Sequence, residues 1–113
     1  MSILLSMAFD QNLAQRVREA LTRYSDIVER ERMGGLTFMR GGKVCVRVEE
    51  NELVVRCRKE ATDELLSKSG ARRYEMKGKP AMKGWIVLAP EAIAADADFS
   101  YWLDTTLHRD VSP

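Results

Sequence analysis

The chain predicts an α+β fold of two layers, an antiparallel sheet with helices on one face, and three observations lead there. Val44, Val46 and Val48 alternate with Cys45, Arg47 and Glu49, and Leu53, Val55 and Cys57 resume the alternation after Glu50-Asn51. That is the pattern of an antiparallel hairpin with one apolar face. Apolar residues at helical spacing open and close the chain, at Leu13, Val17, Ala20, Leu21 and Tyr24 and again at Phe99, Trp102, Leu103 and Leu107. Between them, Arg72 to Lys77 and Gly84 to Ala89 flank a Gly78-Lys79-Pro80 loop and read as a second strand pair. The expected order is α-β(3-4)-α-β(2)-α.

Each element has a local reason. Asp10 can cap the first helix by accepting early amide protons. Ile27 and Val28 begin a stretch that is helical or a short strand, ending at the Met33-Gly34-Gly35 break. Leu36 to Met39 then forms a strand before a Gly41-Gly42 turn. Thr62 offers a cap for a short helix, with Asp63 and Glu64 in its first turn, Lys68 near its end and Gly70 closing it. Asp98 offers the cap of the final helix. The even hairpin loop at Glu50-Asn51 sets Arg47 opposite Val54 and Cys45 opposite Arg56, which puts Cys45 and Cys57 on opposite faces as free thiols, with Cys45 the more accessible.

The 113 residues, 45% hydrophobic and 31% charged, suit one core and one domain over 1–113, with 1–6 expected to be a dispensable extension. Two cysteines are too few for a disulfide scaffold, so a reduced, cytoplasmic setting is expected. The opening MSILLSMAFD lacks a basic n-region and is too short to span a bilayer, so neither signal peptide nor membrane anchor is expected.

Eighteen basic against seventeen acidic residues leave a net charge of +1, which argues against a generally nucleic-acid-seeking surface. The distribution is uneven: residues 40–83 carry twelve basic and seven acidic side chains, residues 84–113 one and five. Arg47, Arg56 and Arg58 are expected on the sheet face opposite the valines, and Lys77, Lys79 and Lys83 around the second loop can join them in an anion-binding patch. The competing reading is a solvated face that discourages edge aggregation. Nucleic acid would also want exposed aromatic rings there, and none is assigned to that face.

Other chemistry finds little support. His108, the single histidine, has no partners at metal-ligand spacing and suits a helix end. Cys45 and Cys57 form no CxxC pair. Gly34-Gly35 and Gly41-Gly42 bracket a strand and match no phosphate-binding motif, so they read as turn glycines. Glu49-Glu50 and Asp96/Asp98 fall at a turn and before a helix, where nothing desolvates a general acid. No catalytic residue, metal site or cofactor is assigned.

Met33-Gly34-Gly35-Leu36-Thr37-Phe38, then Gly42-Lys43 and Leu53-Val54-Val55-Arg56, together with Gly78-Lys79-Pro80, Gly84-Trp85 and Trp102-Leu103, resemble the N-terminal domain of TfoX/Sxy competence regulators over about residues 7–107. The family often has Met-Phe-Gly-Gly where this chain has Met33-Gly34-Gly35. The resemblance implies a two-layer, secretion-chaperone-like α+β domain without established enzyme activity, with Phe38 and Trp85 in the core and Trp102 anchoring the last helix. It also implies that the C-terminal helical domain usual in full-length regulators is missing, so a role in competence does not carry over directly. Two functions follow as expectations: a non-enzymatic regulatory or protein-interaction module, with a symmetric homodimer its simplest form, or a domain binding nucleic acid or a small anionic ligand through the basic sheet face.

Overall fold

A computed structural model describes residues 9–75 and 83–108, so the expected extension 1–6 and the loop residues Lys77 and Lys79 lie outside the described residues. Helix α1 spans Gln11–Ala20, four strands follow as β1 (Ile27–Arg32), β2 (Gly35–Arg40), β3 (Lys43–Glu49) and β4 (Glu52–Arg56), and a 3-10 turn at Lys59–Ala61 leads into α2 (Thr62–Leu66). Strands β5 (Ala71–Arg73) and β6 (Trp85–Leu88) and helix α3 (Asp96–Leu107) complete the fold. The ambiguous Ile27-Val28 stretch is a strand. The sheet is open and antiparallel throughout, in the order β1-β2-β3-β4-β6-β5.

Turn chemistry sets the register. Arg32 pairs with Gly35 across Met33-Gly34, where φ is 50° and 78°, and Arg40 pairs with Lys43 across Gly41-Gly42. Such two-residue turns match the twist of the flanking strands. Phe38, Val46, Val55 and Ile86 therefore stand side by side on successive strands, and so do Leu36, Val48, Leu53 and Leu88. Leu13, Ala14 and Val17 of α1 and Phe99, Trp102 and Leu103 of α3 bury against this face in one continuous cluster. Each large side chain taken fully out of water contributes about 1.5–3 kcal/mol.

Helix ends are met partly as expected. The Asp10 carboxylate accepts from the amides of Asn12 and Leu13 at 2.8 and 3.1 Å. Thr62 is not the cap of α2: it is the first residue of the helix, and its buried hydroxyl donates to the Arg58 carbonyl and accepts from the Gly84 amide. Asp98 does not cap α3 either. The helix starts two residues earlier, and Asp96 and Asp98 both lie in its first turn, where a carboxylate favours the helix dipole.

The strict alternation expected of residues 44–48 breaks at one point. Phe38 pairs with Val46 but Met39 pairs with Val44, so β3 carries one extra residue, Cys45, in a β-bulge. Cys45 therefore points into the core beside Val46, and Val44 turns to the opposite face. The expected opposition of the two cysteines is thus corrected: Cys45 and Cys57 are both buried in the same core cluster, as free thiols. Arg47 does face Val54, whereas the β3–β4 ladder stops at Val46–Val55, short of Cys45. Thr106 of α3, 1% exposed, fills that gap. Its hydroxyl donates to the Cys45 carbonyl at 2.5 Å and accepts from the Arg56 amide at 3.3 Å.

A buried polar group that loses its partner costs about 1–3 kcal/mol. Thr106→Val keeps the shape and removes the hydroxyl, so it is expected to lower stability by about that amount, a fall of several degrees in Tm. Thr105→Val, at a less buried neighbouring threonine whose hydroxyl donates to the Tyr101 carbonyl of its own helix, is expected to change stability by less than about 0.5 kcal/mol. Thermal and denaturant unfolding of the two variants measures the difference.

Candidate functional site

Among the described residues the second face of the sheet carries no helix, yet it is not bare. Thr37, Arg47, Val54, Val87 and Arg72 line up across five strands, and Thr37, Val54 and Val87 are buried although they lie outside the core cluster. Long side chains laid flat over them exclude the water. On one side Arg72 makes a bidentate pair with Glu52 at 2.6 and 2.7 Å, reaching across β6. The arginine holds the Glu52 carboxyl below its ordinary range.

On the other side stands Arg47, whose side chain is only 12% exposed. Its Nε donates to Glu49 at 2.5 Å, Nη1 to the Thr37 hydroxyl at 2.8 Å, and Nη2 to the carbonyls of Arg32 and Met33 at 2.9 and 3.1 Å. The guanidinium thereby ties β3 to the β1–β2 turn. Gly35 makes this possible, since a Cβ there would stand 2.6 Å from Arg47 Nη2 and 2.8 Å from the Val48 carbonyl oxygen. The same Glu49 oxygen accepts from the Tyr74 hydroxyl at 2.6 Å. Strand β5 ends at Arg73, earlier than the expected run to Lys77, and Tyr74 folds over this face to meet Trp85, their ring centroids 5.6 Å apart. Trp85 is therefore not a core residue. Its strand alternates, sending Ile86 and Leu88 inward and Trp85 and Val87 outward, and the Arg56 guanidinium lies 4.7 Å from its ring centroid.

Between β1 and this aromatic pair lies a groove of about 600 Å³, lined with apolar side chains from Met33, Met39, Val44 and Trp85 and flanked by Arg30 and Arg32. The sequence-derived candidates distribute unevenly around it. Arg47 lines the groove, but its donors are engaged within the fold. Arg56 borders it through Trp85. Arg58 pairs with Glu60 at 3.7 Å, and neither it nor the exposed Lys83 lines the groove. Lys79 lies outside the described residues. Sequence reading missed Arg30, Arg32, Met33, Met39, Val44, Tyr74 and the outward Trp85. The alternation in Ile27–Arg32 signals the first two; the bulge that exposes Val44 has no comparable signal. His108 is exposed at the end of α3, and among the described residues no group of three or more His, Cys, Asp or Glu is placed to hold a metal ion.

Burial and the hydrogen bond to Glu49 push the Tyr74 phenol from 10.0 up to about 12. A raised value means that Tyr74 contributes its full stability below pH about 10 and loses it as the pH climbs through about 12. An absorbance titration is expected to show a late phenol that Tyr74→Phe removes, and the stability of the wild type relative to Tyr74→Phe is expected to fall across that interval. Gly35→Ala is expected to force the Arg47 guanidinium off the turn carbonyls and to cost about 1–3 kcal/mol in denaturant unfolding.

No curated protein and no solved structure matches the chain significantly. A protein-family comparison does, over a stretch running from the last two residues of α1 through all six strands to the end of α3. The chain belongs to the TfoX N-terminal domain family, whose model matches residues 19–109 and so covers most of its 113 residues.

Proposed function

We propose that this competence-regulator-like domain is a non-enzymatic, cytoplasmic interaction module that binds a protein partner through the outer face of its sheet. The observation that carries the reading is the groove: apolar Met33, Met39, Val44 and Trp85 open to solvent beside arginines, on the one sheet face that the domain's own helices leave uncovered. An apolar centre with arginine and aromatic residues is the composition that protein interfaces favour. No helix among the described residues is long and apolar enough to cross a membrane. A second copy of the chain is the simplest partner. Its approach would be face to face, because any two-fold-symmetric antiparallel register pairing residues 29–32 of β1 with themselves sets Arg against Arg on one face and Glu against Glu on the other.

The outward Trp85 favours nucleic acid as a second reading, since it supplies the ring that sequence alone did not place. Against it, Arg56 and Tyr74 already pack on that ring, and Arg47 and Arg72 are neutralised by Glu49 and Glu52. Val44→Asp puts a charge in the groove and leaves the core untouched. In nuclease-treated extract the wild type is expected to retain a protein partner, or to self-associate in sedimentation at rising concentration, and the variant to lose it. A wild type that stays monomeric, retains no protein and binds single-stranded or duplex nucleic acid with a steep salt dependence would overturn the reading in favour of the second.

A further inference from the structure

We propose that the groove seats an extended acidic segment of a partner protein, with carboxylates on alternate residues over Arg30 and Arg32 and an apolar side chain against Met33, Met39 and Val44. This deepens the reading of the outer face as an interaction surface and rests on it. Three independent features of the groove point to that occupant.

The first is charge. Arg16, Arg18, Arg40, Arg47, Arg58 and Arg72 each have a carboxylate within ion-pairing distance. Arg30 and Arg32 line the groove, and among the described residues no carboxylate is paired with either. Glu49, also in the lining, is held by Arg47 and Tyr74, and Glu75, the other carboxylate of the lining, follows Tyr74 in the chain and forms no ion pair with Arg30 or Arg32. The β1 side is therefore where negative charge is wanted.

The second is spacing. Arg30 and Arg32 are alternate residues of one strand and share its outer face, opposite Thr37 and Gly35. A strand rises about 3.3 Å per residue, so the two side chains leave the backbone roughly 7 Å apart. An extended peptide running along β1 repeats its own side chains at the same interval, which a single small anion does not.

The third is Met33. It stands at the first position of the β1–β2 turn with φ 50°, a conformation unfavourable for a residue with a Cβ, and it is 92% exposed. Glycine or asparagine would make the same turn with less strain. An apolar side chain kept in a strained position, in water, at the mouth of a groove gains nothing for the fold. Contact with a ligand gives it a purpose.

Fluorescence polarisation tests the proposal with a labelled peptide Phe-Ser-Glu-Ser-Glu-Ser-Leu and its Gln and Lys counterparts. The acidic peptide is expected to bind about tenfold more tightly than the Gln peptide, and the Lys peptide least. Arg30→Glu combined with Arg32→Glu is expected to reverse that order, a swap that general loss of structure cannot produce. Met33→Gly is expected to raise Tm while weakening the acidic peptide, two changes of opposite sign. Absence of an acidic preference, a preference that survives the double reversal, or a Met33→Gly protein that binds as well as wild type would each overturn it. If the preference is absent while Val44→Asp still releases the protein partner, the surface reading stands and the acidic occupant is wrong. Preferential binding of a single-stranded oligonucleotide that the acidic peptide cannot displace would overturn both.

Discussion

One extra residue in β3 determines what each side of the sheet carries. Because side chains alternate along a strand, inserting Cys45 between Val44 and Val46 inverts the facing of everything before it. Val48 and Val46 stay in the core, Cys45 joins them, and Val44 is delivered to the opposite face, where with Met39 it forms apolar groove lining. The bulge also interrupts the backbone ladder and leaves polar groups to satisfy under α3. Thr106 meets both the Cys45 carbonyl and the Arg56 amide, so the last helix is positioned by a hydrogen-bonded clasp as well as by Phe99, Trp102 and Leu103. A sheet without the bulge would need neither the clasp nor that threonine.

The outer face solves a different problem. A two-layer domain leaves one side of its sheet to water, and the valines at its centre need cover. Here the cover is made of charged side chains: Arg47 with Glu49 and Tyr74 on one flank, Arg72 with Glu52 on the other. Exposed ion pairs contribute little, up to about 1 kcal/mol each. Arg47 differs, because it is nearly enclosed and also holds two backbone carbonyls of the β1–β2 turn. Its alkyl stem and guanidinium act as packing material over Val54, while Gly35 leaves the room it occupies.

That arrangement divides the arginines into two kinds. Those directed across the sheet are structural, and they include Arg47, which composition and register alone present as a ligand-binding candidate. Arg30 and Arg32 sit on the edge strand with their charges unanswered by a described carboxylate, beside Met33 in its strained turn. The proposed recognition is thereby placed at the β1 edge of the sheet and not at its centre.

Elements with a local cause are legible in the sequence. Alternation announced β3 and β4, the two-residue Glu50-Asn51 turn set their pairing, Asp10 capped α1, and the apolar stripe of Phe99, Trp102 and Leu103 announced a buried final helix. The arginine face was legible too, since Arg47 opposite Val54 follows from the length of the Glu50-Asn51 loop. What tertiary structure alone decided are the features whose cause lies far along the chain. Thr62 looked like a cap and became the partner of Gly84; Trp85 looked like core and was claimed by Tyr74 and Arg56 on the other face. Cys45 fits either face as a small apolar residue, and only its carbonyl's bond to Thr106, 61 positions away, accompanies the inward choice. Local pattern encodes which residues alternate, but a single-residue shift in register reverses the answer, and the hydrogen bonds that accompany such a shift come from segments that meet only once the chain has folded.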